Sequence, residues 1–286
     1  MNDSFVAPFP AGPDVSAYVP SHEVDRDLGY LAAKLVEAPG AVGICGPPGV
    51  GKTLVLRLLL RRLARSFTGV YVPCAFLSAE ELGRWVASQL GLPEASPLPD
   101  LAASSAQGGR PLLLAIDEAQ LASDALLDHL GGLARGSGPS RVVFAWSEAE
   151  GERPRAPARY CTTRVFLDPL DVKQVPAFVS AQLARAQAPA EVHRVLSGST
   201  LNRIALASGG NPRAIQRLAD AELIAWAWRA HRTAPETERR GARATRSAPR
   251  SADAVAEPRV RAAGLRRWVA IALTIGTLAT TSLCTR

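Results

Sequence analysis

The eight residues Gly46-Pro-Pro-Gly-Val-Gly-Lys-Thr53 constrain this chain more than any other stretch. They fit the pattern GxxxxGK[ST], with an apolar run (AVGIC, 41–45) before them and a helix-forming run (TLVLRLLLRRLARS) after them. Glycines allow such a loop to bend until its N–H groups point at phosphate oxygens. The helix that follows brings its positive N-terminal end to the same anion. Gly46, Pro47, Pro48, Gly49, Val50, Gly51, Lys52, Thr53 and Leu54 are therefore the expected nucleotide cradle. Lys52 is expected to reach the β- and γ-phosphates, and the Thr53 hydroxyl to bind Mg²⁺. A glycine-rich turn that holds nothing is the plainer reading of the same letters.

A phosphate loop of this kind needs a second half, an apolar strand that ends in acid. PLLLAIDEAQ supplies one, with Asp117 standing 64 residues after Thr53. Asp117 is expected to hold the Mg²⁺ through water. Glu118 is expected to polarise the attacking water as a general base. Two adjacent acids after a strand also suit a helix cap with a solvated neighbour. Beside the glycine loop, the pair points to hydrolysis of a nucleoside triphosphate and not only to its binding.

The pattern along the chain gives the architecture. Asp25 to Ala38 read as a helix, with Leu28, Leu31, Ala32, Leu35 and Val36 on one face, closed by Pro39-Gly40. GVYVP (69–73), RVVFAW and RVFL read as further strands, and SDALLDHLGGLAR as a helix. SAEELGRWVASQLGL opens with Ser78 three residues before Glu81, a capping-box pattern. Residues 92–110 and 148–163 read as loops. From Asp171 onward every segment has a helical period. Strands alternating with helices, then helices alone, predict an α/β P-loop core with a parallel sheet and a small helical domain attached. The expected boundaries are an N-terminal arm at 1–24, the core at 25–170, a helical lid at 171–230, a basic linker at 231–267 and an apolar segment at 268–284.

Charge and cysteine usage remove several alternatives. The formal net charge is +7, yet residues 229–267 alone carry eleven arginines against four acids. The core is thus close to neutral, which argues against DNA as its partner, because phosphate neutralisation needs clustered Lys and Arg. Cys45, Cys74, Cys161 and Cys284 have no metal-ligand spacing, so neither a zinc site nor a disulfide framework is expected. The opening residues carry acids and prolines and no apolar run, so no secretory signal is expected.

Four segments together resemble the AAA+ ATPases of the general secretion pathway protein A (ExeA) type. They are PFPAGPDVSAYVPS (8–21), GPPGVGKT, LLLAIDEAQ, and the helical part with RVFLDPL (164–170) and GGNPRAIQRLADAELIAW (209–226). The resemblance covers roughly residues 5 to 230. It implies ATP and Mg as ligands, with ATP held between core and lid, and assembly into a homo-oligomer. It also implies that Arg213 in GNPRAI is the lid arginine that touches the γ-phosphate. A solvent-facing arginine at a helix start would look the same. Arg159 or Arg164 would be the finger that reaches a neighbour's ATP, unless both belong to a solvated basic loop. Tyr18 would lie near the adenine. One departure stands out: this family's Gly-Gln at the end of the fourth strand is Trp146-Ser147 here.

The tail completes the expectation. Trp268 to Cys284 is a run of 17 residues without charge, preceded by Arg266 and Arg267. As a helix it would extend about 25 Å at 1.5 Å per residue, against about 30 Å for a hydrocarbon core. Trp268 and the flanking arginines suit a membrane interface, and the basic linker would remain cytoplasmic. The expected protein is a membrane-tethered Mg-dependent ATPase, single-pass in the inner membrane, that assembles or remodels a secretion or pilus system of the envelope. Its rivals are a DNA-transposition-type ATPase and a nucleotide-gated scaffold that hardly turns over. An apolar helix packed on a protein surface would account for the same tail.

Overall fold

The computed structural model describes residues 8–9, 12–73, 78–92, 97–135, 140–149 and 155–233. They fall into two units. The first comprises residues 10–169 together with Asn211–Arg213. Its centre is a five-stranded sheet of β1 (Gly40–Gly46), β2 (Thr68–Val72), β3 (Leu112–Ile116), β4 (Arg141–Ser147) and β5 (Cys161–Phe166). The strand order is β2-β3-β4-β1-β5 and every pairing is parallel. All residues of β1 and β3 are buried, as expected of strands covered on both faces.

Side chains alternate across the sheet and divide the core in two. Leu113, Ala115, Val143, Ala145, Val42 and Ile44 face α1 (His22–Glu37) and α2 (Lys52–Leu63), where Leu28, Leu31, Leu35, Leu56 and Leu59 meet them. Leu112, Leu114, Ile116, Val142, Phe144 and Trp146 face the other way. That side is covered by α3 (Ala79–Leu90), α4 (Leu98–Gln107) and α5 (Asp124–Arg135) through Leu82, Val86, Leu101, Leu127 and Leu130. The capping box forms as the spacing predicts: Ser78 accepts from the Glu81 backbone, and the Glu81 carboxylate accepts from the Ser78 N–H.

The structure corrects two of the expected loops. Residues 92–110 contain α4, with Pro97 as its N-cap and Pro99 in its first turn. Leu98, Leu101 and Ala102 are buried there, the i, i+3, i+4 spacing of a helix face. Abundant Pro, Ser and Gly around that short stripe gave it the look of a loop. Residues 148–163 contain a 3-10 turn (Ala156–Tyr160) and the first half of β5. The strand begins at Cys161, ahead of RVFL, because Thr162 and Thr163 suit a sheet edge, and the Thr162 hydroxyl donates to the Ala41 carbonyl at 3.0 Å. Helix α1 also starts earlier than expected, at His22.

The second unit includes, among the described residues, Phe9, Leu170–Gly210 and 214–233. Its helices are α6 (Val175–Arg185), α7 (Ala190–Val195), α8 (Gly198–Ser208) and most of α9 (Pro212–Thr233). Val175, Val179, Leu183, Ile204, Ala205, Ile215 and Ala219 form its core, and Phe9 packs into it. No helix among the described residues is long and apolar enough to cross a membrane. Helix α9 runs three residues into the expected linker; residues 234–267 and the apolar segment at 268–284 lie outside the described residues, as do Cys74 and Cys284. Cys45 and Cys161 are free thiols.

If α4 is a packed helix, Leu101→Ala removes a fully buried side chain and should cost about 2–5 kcal/mol. The measurement is denaturant unfolding of the full chain. An exposed loop would lose a few tenths at most.

Candidate functional site

The carboxyl ends of β1, β4 and β3 lie side by side, with β4 in the middle. The glycine loop leaves β1 and α2 begins at Lys52, so the loop and the helix N-terminus share this edge of the sheet. Two loop positions demand glycine. Gly46 has φ 146° and a Cβ there would collide with the Leu167 carbonyl oxygen. Gly49 has φ 89° and a Cβ there would stand 2.6 Å from Asn211 Oδ1.

Lys52 is 6% exposed and its Nζ donates to the carbonyls of Gly46 (3.0 Å) and Pro47 (2.9 Å). Burial pushes the ammonium below its ordinary pKa. Glu118 and Asp117 pull it back up, and Arg213 adds to the downward push. Asp117 is 4% exposed and fully engaged. Its Oδ2 accepts from Thr53 Oγ1 (2.6 Å) and Tyr71 Oη (2.9 Å), and its Oδ1 accepts from the Glu118 N–H (3.0 Å). A buried carboxylate is tolerated only with such partners. Glu118 adopts φ 48°, a left-handed conformation that costs a non-glycine residue about 1–3 kcal/mol and collects at functional sites. Its Oε2 accepts from Gln120 Nε2, and Gln120 Oε1 accepts from the Ser147 N–H at 3.1 Å.

Three further contacts brace the loop. The Glu148 N–H donates to the Gly46 carbonyl at 3.0 Å. The buried Glu148 carboxylate accepts from Trp146 Nε1 at 2.7 Å and meets Arg164 at 3.5 Å. Asn211 caps α9 by accepting from the Arg213 N–H at 3.1 Å, and its Nδ2 donates to the Pro48 carbonyl at 2.7 Å. The Arg213 N–H also reaches the Gly49 carbonyl at 3.3 Å. Trp146 is wholly buried against β1: a Cβ on Gly43 would stand 2.5 Å from its ring. The Trp-Ser departure is therefore a core substitution at position 146, with the Ser147 backbone held at the site.

The sequence-predicted residues Gly46 to Leu54, Lys52, Thr53, Asp117, Glu118 and Arg213 thus share one edge of the sheet. Arg159 and Arg164 are engaged elsewhere. Arg159 donates to Asp124 Oδ1 (3.0 Å) and Tyr160 Oη (2.6 Å), and Arg164 pairs with Glu148. Tyr18 donates to Asp25 Oδ1 at 3.0 Å and accepts from the Ser21 N–H. Sequence reasoning missed Tyr71, Gln120 and Asn211. Asn211 had a local signal, an Asn-Pro step at a helix start, which serves as N-cap and N1, and Gln120 closes the DEAQ run without a role of its own being readable there.

The donor set fits a hard divalent cation such as Mg²⁺. One hydroxyl and one carboxylate converge at 2.6 Å, and the described residues contain no cluster of three or more acids, His or Cys. A protein that supplies so few oxygens leaves the remaining positions to water and phosphate.

Residues 36–151 match the family model described as AAA domain. Over that segment the chain is similar to AAA-domain proteins. The expected resemblance to the ExeA type holds as well. The chain is 27% identical over 237 residues to general secretion pathway protein A of Aeromonas hydrophila. The match covers 76% of this chain and 43% of that protein, so the chain spans less than half the length of this relative. Among solved structures, the Aeropyrum pernix ORC2 protein in its ADP form aligns with a TM-score of 0.52 at 16% identity. A second ORC2 structure, with ADPNP and ADP, aligns at 0.51 and 15%. Each alignment covers 75% of this chain and 66% of ORC2, and at that identity it speaks for the fold alone. The α/β parallel-sheet P-loop core is the fold that the AAA domain predicts.

Burial, reinforced by the Asp117 charge and hydrogen bond, pushes the Tyr71 phenol up to about 12. Its folded pKa lies above the unfolded value near 10. The resulting stability is present in full below pH 10 and is lost as pH rises toward 12. Tyr71→Phe should flatten the fall in unfolding free energy over this window. Denaturant titrations of the full chain at pH 9, 10 and 11 would show it.

Proposed function

We propose that this AAA+ protein is a Mg-dependent ATPase. The observation that carries the reading is the convergence of Lys52, Thr53, Asp117 and Glu118 at one edge of the sheet. Lys52 leaves its loop carbonyls to neutralise the β- and γ-phosphate oxygens, joined by the N–H groups at the start of α2. The Thr53 hydroxyl, which now bonds Asp117, would bind Mg²⁺ directly, and Asp117 would hold the ion through water. Bound Mg²⁺ supplies positive charge to the oxygens that gain negative charge during transfer. Glu118 takes the proton of the attacking water, the water oxygen bonds the γ-phosphorus, and the bond from that phosphorus to the ADP oxygen breaks. Arg213, at the start of α9, acts on the γ-phosphate from the same subunit.

The biological reading rests on the kinship with general secretion pathway protein A. The protein assembles into a homo-oligomer, in which Arg159 or Arg164 reaches the ATP of a neighbour after releasing its present carboxylate partner. Residues 268–284 tether it to the inner membrane by a single pass, with the ATPase domain in the cytoplasm. Its work is to assemble or remodel an envelope secretion or pilus system, and DNA is not its partner.

Steady-state ATP hydrolysis by the full chain, in detergent or liposomes, tests this. Lys52→Ala should abolish nucleotide binding, and Glu118→Gln should retain ATP while lowering kcat by about 100-fold or more. Tight ATP binding without turnover in the parent chain would instead identify a nucleotide-gated scaffold.

A further inference from the structure

Glu118 has a long side chain on a left-handed backbone, directly after a strand end. Left to itself, such a side chain samples many rotamers, and fixing one costs up to about 2 kcal/mol. A general base must nevertheless hold its oxygen within hydrogen-bond reach of one water. The loop backbone supplies part of the order. Asp117 N–H is tied to the Val72 carbonyl at 2.9 Å, and the 3-10 turn Ala119–Leu121 closes on Glu118 through the Leu121 N–H at 2.9 Å. Neither bond restrains the Glu118 carboxylate.

The side chain of Gln120 does. Its amide is used at both ends, and the two ends cannot be exchanged. Nε2 donates to Glu118 Oε2, while Oε1 accepts from the Ser147 N–H. A flipped amide would set oxygen against carboxylate and NH₂ against N–H. Ser147 is the last residue of β4, which is hydrogen-bonded to β1 and β3 on its two sides. The carboxylate is thereby referenced to the middle of the sheet and not to a loop.

We propose that Gln120 is a positioning residue for ATP hydrolysis, which holds the Glu118 carboxylate against the end of β4. The proposal rests on the reading of Glu118 as the general base. Gln120 makes no contact with nucleotide in this role, so its loss acts on turnover and not on affinity.

The discriminating substitution is Gln120→Glu in the full chain. It keeps an oxygen to accept from the Ser147 N–H and replaces the donor to Glu118 with a like charge. Gln120→Ala removes both bonds. Both substitutions should lower kcat by about 10- to 100-fold, the range expected when a reacting group is displaced by about an ångström. The Kd for ATP should stay within about twofold. Hydrogen exchange of the nucleotide-free protein supplies a readout apart from activity. The Ser147 amide should exchange faster in Gln120→Ala and remain protected in Gln120→Glu. Parent-like kcat in Gln120→Glu, beside an inactive Glu118→Gln, would overturn the positioning role and leave the ATPase reading intact. A parent chain without turnover would overturn both.

Discussion

A carboxylate with almost no access to water organises this site. Asp117 sits where β3 ends, and burying its charge would be prohibitive without compensation. Three donors provide it: the Thr53 hydroxyl from α2, the Tyr71 phenol from β2 and the N–H of Glu118. Each donor comes from a different part of the fold, so the burial of one group sets the relation among a helix, two strands and a turn. The same carboxylate helps to retain charge on Lys52, which burial would otherwise disfavour. The groups proposed to hold phosphate and metal are thus linked to one another through Asp117.

The two acids of the DEAQ run differ because their surroundings differ. Asp117 is locked by several donors, while Glu118 is half-buried and restrained by a single amide. That division suits a fixed metal-holding group beside a proton acceptor that must meet water. Its origin is topological. Strand β4 lies between β1 and β3, so its end can touch both the glycine loop, through the Glu148 N–H, and the DEAQ turn, through the Ser147 N–H.

Much of this was legible in the sequence, for physical reasons that vary by element. The glycine loop, its flanking strand and helix and the acids of β3 were readable because backbone geometry at each position restricts the residue type. The parallel sheet followed from uninterrupted apolar runs such as LLLAI. Helix α4 was obscured because its buried face is only Leu98, Leu101 and Ala102, set among residues typical of loops. Tyr71 and Gln120 were invisible for another reason. Tyr71 leaves no motif signal, and Gln120, although it closes the DEAQ run, gives no sign in the sequence that its amide reaches the Ser147 N–H 27 residues away. Trp146 stands out in the sequence only as a departure from the family's Gly-Gln, whereas its indole belongs to the core, with Nε1 satisfied by Glu148.

The fit between Trp146 and Gly43 has a consequence for how such a chain can change over time. A methyl group on Gly43 would enter the space of the indole, and a small residue at 146 would leave a cavity over β1. Neither position can drift alone without loss, although 103 positions separate them in the chain. The two form one inherited unit of shape. Shrinking position 146 would remove the tightest obstacle to a larger residue at 43, while the Arg164 Cβ at 3.0 Å would remain, so the order of substitutions matters. Trp146 is in that sense a commitment in shape, held in place by the strand on which it rests.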